Sequence, residues 1–244
     1  MQQRKRLRFV LILGLAVAAS PACESMDPGL LGNVLAGMGG GTQLDEGTVV
    51  AGLKEALRVG TQNTVSSTSS PDGFFGNPVI RIPVPDQLDT MAQGLRRVGF
   101  GSQVDEFELA MNRAAEDAAG EALDVFVGAI SQMSFSDARG ILDGGETAAT
   151  EFFRRTTSDQ LRERFSPIVD QSMRQVGLVQ VYDQLLSRWR QVPLVPQPQF
   201  DLNRYVTDQG LGGLFHVLGE EEKKIRTDPA ARVTDLLKTV FGSR

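Results

Sequence analysis

One stretch of the chain carries four side chains that could act together. Glu108, Asn112 and Glu116 recur every four residues, with Arg113 beside them. On a helix that spacing puts three oxygen-bearing groups on one face. Such a face could bind a cation or the polar head of a ligand. It could equally be a helix edge where Glu116 is half-buried and pairs with an arginine from another helix. The second reading is favoured, because structural ion-pair networks also assemble such groups. Ala114, Ala115, Ala118 and Ala119 add to it, since small side chains let a neighbouring helix approach closely.

Other chemistry is excluded by scarcity. The chain of 244 residues has one histidine and one cysteine. Zinc sites built on two or three histidines are impossible, as are an internal disulfide and a Cys-X-X-Cys pair. His216 has no second histidine or cysteine near it, and is read as a satisfied or exposed side chain. The Asp143-Gly144-Gly145-Glu146 loop lacks the spaced acids of a calcium hand and is read as a turn. No G-x-S-x-G, phosphate-binding G-x-x-x-x-G-K-[ST] or S-x-x-K motif is present. No metal or cofactor is therefore expected. A hydrolase or lyase built on carboxylates such as Glu116 stays open, since any two of 30 acids could converge.

The single cysteine has a position of its own. Arg4, Lys5, Arg6 and Arg8 precede an uncharged apolar run, Phe9 to Ala19, and Ser20-Pro21-Ala22 leads into Cys23. A basic stretch, a short apolar stretch and small residues make an export signal. The apolar run is too short to span a bilayer, which takes about 20 residues. Residues 1–22 are read as a lipoprotein-type signal and Cys23 as the lipidated residue. Simple cleavage after Ala22 is the alternative. A lone thiol in an oxidising compartment invites unwanted pairing, which favours lipidation. Loss of the signal leaves 21 basic against 30 acidic side chains, a surface poorly suited to nucleic acid.

The elements that must position these groups follow from periodicity. Residues 23–43 are glycine-rich and read as a flexible tether. From residue 44 to 244 helical spacing dominates, and we read one all-α domain. Val49, Val50, Leu53, Ala56, Leu57 and Gly60 stripe a first helix. Turn signals occupy Ser66–Pro78. Val79–Pro85 then runs extended, with prolines that suit a strap laid across the helices. Asp86 is expected to cap a second helix bearing Leu88, Met91, Ala92, Leu95 and Val98.

Ser102 and Asp105 resemble a capping box opening the longest helix, which runs to about Gln132. Its stripe is Val104, Phe107, Met111, Ala114, Ala118, Ala122, Phe126 and Ile130. Ser134 and Asp137 cap a short helix through Leu142. Residues 148–156 are helical, and Thr157 with Gln160 caps the next helix, through Val176. Tyr182, Leu185, Leu186 and Trp189 share a face. Three prolines in 192–200 mark a connector. Asp201 opens a helix with Gly210 and Gly213 placed for a close crossing. Glu220–Lys224 is read as a solvated face, and Arg226, Asp228 and Arg232 as groups that could dock on acids elsewhere. Thr234 begins a closing helix. Thirteen phenylalanines against two tyrosines and one tryptophan argue for core packing.

Many segments, in order, resemble the bacterial envelope family catalogued as domain of unknown function 4197. They include Gly52–Leu57, Asp72-Gly73-Phe74 through Asn77-Pro78 to Ile82-Pro83, and Asn112–Glu116. Ser136–Ala138, Ala148–Thr150, Phe153-Arg154, Tyr205–Thr207, Gly213–Phe215, Glu222–Arg226, Leu236-Leu237 and Phe241-Gly242 continue the match. The resemblance implies a helical exported domain, often behind a lipoprotein signal, and no activity. The expectation is a non-enzymatic lipoprotein on the periplasmic side of the envelope, anchored at the outer membrane. Its partners would be the membrane, reached through the anchor, and an envelope protein or lipid. The alternatives are a module holding a lipid or apolar ligand under the Val79–Pro85 strap, and the carboxylate enzyme.

Overall fold

The computed structural model describes residues 46–175, 177–191 and 200–231. The chain divides into two units, Met1–Gln43 and Leu44–Arg244, and every described residue belongs to the second. Cys23, the tether and the helix expected from Thr234 lie outside the described residues. The fold is all-α. Its helices are α1 (Glu46–Thr68), α2 (Asp86–Arg97), α3 (Gly101–Ala119), α4 (Ala122–Gln132), α5 (Phe135–Asp143), α6 (Ala148–Gln175), α7 (Leu178–Trp189) and α8 (Leu202–Thr227), with a 3₁₀ turn at Pro229–Ala231.

The apolar stripes become the core. Val104, Phe107, Met111, Ala114 and Ala118 of α3 are buried, and so are Ala122, Phe126 and Ile130 of α4. Helix α3 packs on α6 and α8, and α8 packs in turn on α1 and α6. Phenylalanine fills the centre: Phe126 meets Phe153 edge-on at 5.0 Å and Phe215 at 6.2 Å. Edge-on pairing suits the ring quadrupole and adds to the burial of large apolar area. The polar residues buried in α1 satisfy themselves. Thr61, Thr64 and Thr68 each donate to the carbonyl four residues back, so a polar face can enter the core without orphaned groups.

Several expected boundaries are corrected. The long helix from Ser102 to Gln132 is two, parted at Gly120–Glu121. Both halves bury one stripe, so periodicity alone carries no mark of the break. Helix α3 starts after Phe100 with no side-chain cap, and Ser102 bonds Gln103 instead. Asp86 lies inside α2, whose cap position is Pro85; its charge still suits a helix N-terminus. The helices expected at 148–156 and from Thr157 are one continuous α6. Thr157 donates back to the Phe153 carbonyl rather than capping. Val98 leaves the α2 stripe and stands exposed. The strap is extended only from Arg81 to Pro85, because Ile80 and Arg81 both bond back to the Asn77 carbonyl in a turn.

Other expectations hold. Ser134 and Asp137 form a reciprocal capping box, and Asp201 accepts from Arg204 N–H at the start of α8. Gly210 faces Ala115, placing α8 close against α3. Gly213, expected at a helix crossing too, instead faces the segment between α1 and α2: a Cβ there would stand 2.5 Å from the Phe74 ring and 3.1 Å from Ile80 Cβ.

Two predictions follow from this packing. Gly213→Ala should destabilise by about 1–3 kcal/mol through overpacking. Gly210→Ala, whose Cβ would make an ordinary 3.5 Å contact with Ala115, should be neutral or stabilise by up to about 1 kcal/mol through helix propensity. Denaturant melts of both variants would show whether the order is as stated. The Ser134 hydrogen bonds hold the Asp137 carboxyl below the ordinary aspartate range. A depressed folded pKa contributes stability above the unfolded value, and that stability is lost as pH falls through the folded one. Asp137→Asn should therefore lower stability by a constant amount above about pH 4 and flatten the fall that the parent shows below it, as a stability–pH profile would record.

Candidate functional site

The four residues on α3 do come together, on the segment that joins α1 to α2. Glu116 is almost wholly buried, with 3 % of its side chain exposed. Its Oε1 accepts the backbone N–H of Phe74 at 3.0 Å and of Phe75 at 3.1 Å. Its Oε2 accepts from Arg113 Nη1 at 2.6 Å. Arg113, about a third exposed, also reaches Asp72 at 2.7 Å. One turn earlier, the Asn112 amide closes a two-way pair with the backbone of Ile82, at 2.8 Å in each direction. Its amide also donates to the Glu108 carbonyl. Glu108 in turn holds Arg81 at 2.8 Å, and the Arg81 guanidinium lies 4.0 Å over the Phe75 ring.

The strap is also gripped by α8. Tyr205 donates its hydroxyl to the Pro83 carbonyl at 3.1 Å. Burial, with the charges of Asp86 and Glu108, pushes the Tyr205 hydroxyl up from its ordinary pKa, which keeps the donor protonated. The hydrogen bond to Glu116 raises the Arg113 pKa against an opposing desolvation, so this guanidinium is a permanent counter-ion. The arginine that pairs with Glu116 thus comes from its own helix, three residues away, and not from another. What comes from elsewhere is the pair of backbone amides.

The arrangement fits holding chain in place better than reacting. A carboxylate accepting two amides and a guanidinium has most of its lone-pair sites in use. Among the described residues no buried side-chain nitrogen or oxygen lacks a partner. The strap rests on filled space, with Phe74, Ile80 and Ile82 buried beneath it. His216 is exposed on α8. Among the described residues no cluster of three or more His, Cys, Asp or Glu side chains could hold a metal ion.

A second group of the same kind was not anticipated. Glu222, in the run read as solvated, is buried. It accepts the backbone N–H groups of Ala149 and Thr150 at 2.9 and 2.8 Å, and the Thr150 hydroxyl at 2.8 Å. Arg226, one turn on, pairs with it at 2.8 Å and donates to the Ile141 carbonyl. Arg226 therefore docks on an acid of its own helix. A signal was present, since Gly210, Leu214, Leu218 and Glu222 advance in steps of four along the buried face. Glu221 and Lys224 keep the exposed pairing expected of that run.

A family model described as Protein of unknown function (DUF4197) matches residues 43–242, and the chain belongs to that family. No curated protein and no solved structure matches the chain.

Replacing Glu116 by Gln should lower stability by about 2–3 kcal/mol. That is below the range for breaking a fully buried pair, because Arg113 is partly solvated. Glu222→Gln should cost about as much or slightly more, since both members of its pair are more deeply buried. Equilibrium unfolding measures both. An unchanged melt for Glu116→Gln, with loss of the protein's biological effect, would give that cluster a binding role instead.

Proposed function

We propose that this member of the DUF4197 family is a lipid-anchored, non-enzymatic domain on the periplasmic side of the bacterial envelope. It is held at the outer membrane through Cys23 and contacts a protein partner or another envelope component. The observation that carries the reading is the placement of the only cysteine directly after a basic stretch and a short apolar run. A doubly or triply acylated cysteine suffices for stable attachment. No helix among the described residues is long and apolar enough to cross a membrane.

The non-enzymatic part of the reading draws on the α3 cluster. Asn112, Arg113 and Glu116 spend their polar atoms on residues 72–82 and on one another, and Glu108 gives one carboxylate oxygen to Arg81. Both oxygens of Glu116 are taken, whereas a carboxylate acting as acid or base needs one free to meet a substrate. A ligand held beneath the strap would need the space that Phe74, Ile80 and Ile82 fill. Contact with a partner through the exposed surface needs neither.

The anchor has a direct test. Cys23→Ser should move the protein from membranes washed at high salt, which weakens purely electrostatic attachment, to the soluble extract, with no change in its melting. Continued retention on the salt-washed membranes would remove Cys23 from the account.

A further inference from the structure

The turn between α2 and α3 sets apolar and cationic groups side by side. Helix α2 ends on Gly99, whose φ of 95° suits a residue without a Cβ. Gly99 N–H bonds the Arg96 carbonyl, and Phe100 N–H bonds the Leu95 carbonyl at 2.9 Å. This double bond pattern is a left-handed helix stop, so the turn is built and not loose. It leaves Val98 65 % exposed. Beside it lies an open groove of about 460 Å³, floored by Leu95, Phe100 and Trp189 and edged by Arg97 and Arg188. Arg188 lies 5.1 Å over the Phe100 ring, which holds a cation at the rim. Arg96 is neutralised by Asp105 at 2.6 Å. Arg97 and Arg188 are exposed and have no carboxylate partner among the described residues. In a chain of net charge −5, this is a local reversal of sign around an apolar floor.

We propose that this end of the domain docks on a membrane surface containing anionic phospholipid. Val98 and Phe100 enter the interfacial layer, and Arg97 and Arg188 meet the lipid phosphates. Charge complementarity selects the occupant. Guanidinium pairs strongly with phosphate oxygens, whereas a purely apolar partner would desolvate the rim arginines without pairing them. Long arginine stems lie along apolar surface while their heads stay at the polar boundary. The attraction is short-ranged and falls off within a Debye length, so the acidic remainder of the protein restricts contact to this face. The surface deepens the envelope reading but does not depend on lipidation of Cys23.

The test uses the chain from residue 23 onward with Cys23→Ser. The described core runs from Leu53 to Ile225 and is kept whole. The chain is floated with phosphatidylcholine vesicles, with and without phosphatidylglycerol. Partition is expected only with phosphatidylglycerol and should fall as salt rises. Arg97→Ala together with Arg188→Ala should weaken it about thirtyfold. Val98→Ser should weaken it about tenfold with the salt dependence unchanged. These side chains are exposed, so thermal melts should match the parent. Equal partition onto both vesicles, or onto neither, overturns the proposal. A photo-crosslinker at position 98 should yield a phospholipid adduct in the envelope; a protein adduct would assign the face to a polypeptide instead and overturn it too. Either failure leaves the Cys23 anchor standing, because that is read from salt-washed membranes carrying the full chain or its Cys23→Ser variant.

Discussion

The backbone of residues 72–83 sets the constraint on which the rest of the structure depends. This segment packs on α3 and α8 with only isolated turn hydrogen bonds of its own, yet its Phe74, Ile80 and Ile82 are buried. Buried amides and carbonyls have to be paired. The partners are side chains from the two helices beneath: Glu116 for Phe74 and Phe75, Asn112 for both polar atoms of Ile82, and Tyr205 for Pro83. Gly213 is small because the segment lies directly on α8. The polar residues of α3 thus exist to make an irregular segment behave as part of the core.

Glu222 solves a related problem at the start of α6. The first N–H groups of any helix lack an intrahelical acceptor. Here Ala149 and Thr150 find theirs in a carboxylate carried by α8, 73 residues from Ala149 in sequence. Negative charge at a helix N-terminus is favourable. In both places a glutamate takes two consecutive amides and an arginine of its own helix balances it, three residues before Glu116 and four after Glu222. Neither charge is buried alone, which keeps the arrangement affordable in free energy. The two clamps fix α3 to the strap and α8 to α6, and α8 also packs on α1 and α3.

Much of the fold is legible residue by residue. The reciprocal Ser134–Asp137 box and the Asp201 cap are real because both stand at the first turn of a helix, where backbone N–H groups lack an intrahelical acceptor. The similar patterns at Ser102 and Thr157 are not caps. A Ser or Thr followed three residues later by an acid or amide also fits inside a helix, where the hydroxyl can bond the carbonyl four back, as Thr157 does. The break at Gly120–Glu121 was hidden because Ala118 and Ala122 both lie on the buried side. The candidate cluster was legible as a face, but not as a clamp. Glu222 was overlooked because an acidic run reads as solvated unless each residue is followed along the apolar stripe.

By itself, the sequence determined the helical class, most of the helices, the faces they bury and the family. These properties depend on spacing within one element, and spacing is local. The tertiary structure alone decided what the buried charges do. The amide that Glu116 binds lies 42 residues away at Phe74, and periodicity along α3 says nothing about a backbone group on another element. It also decided that Val98 and the unpaired arginines of α2 and α7 share one surface. Helix ends far apart in the chain meet only when the core brings α2 and α7 together.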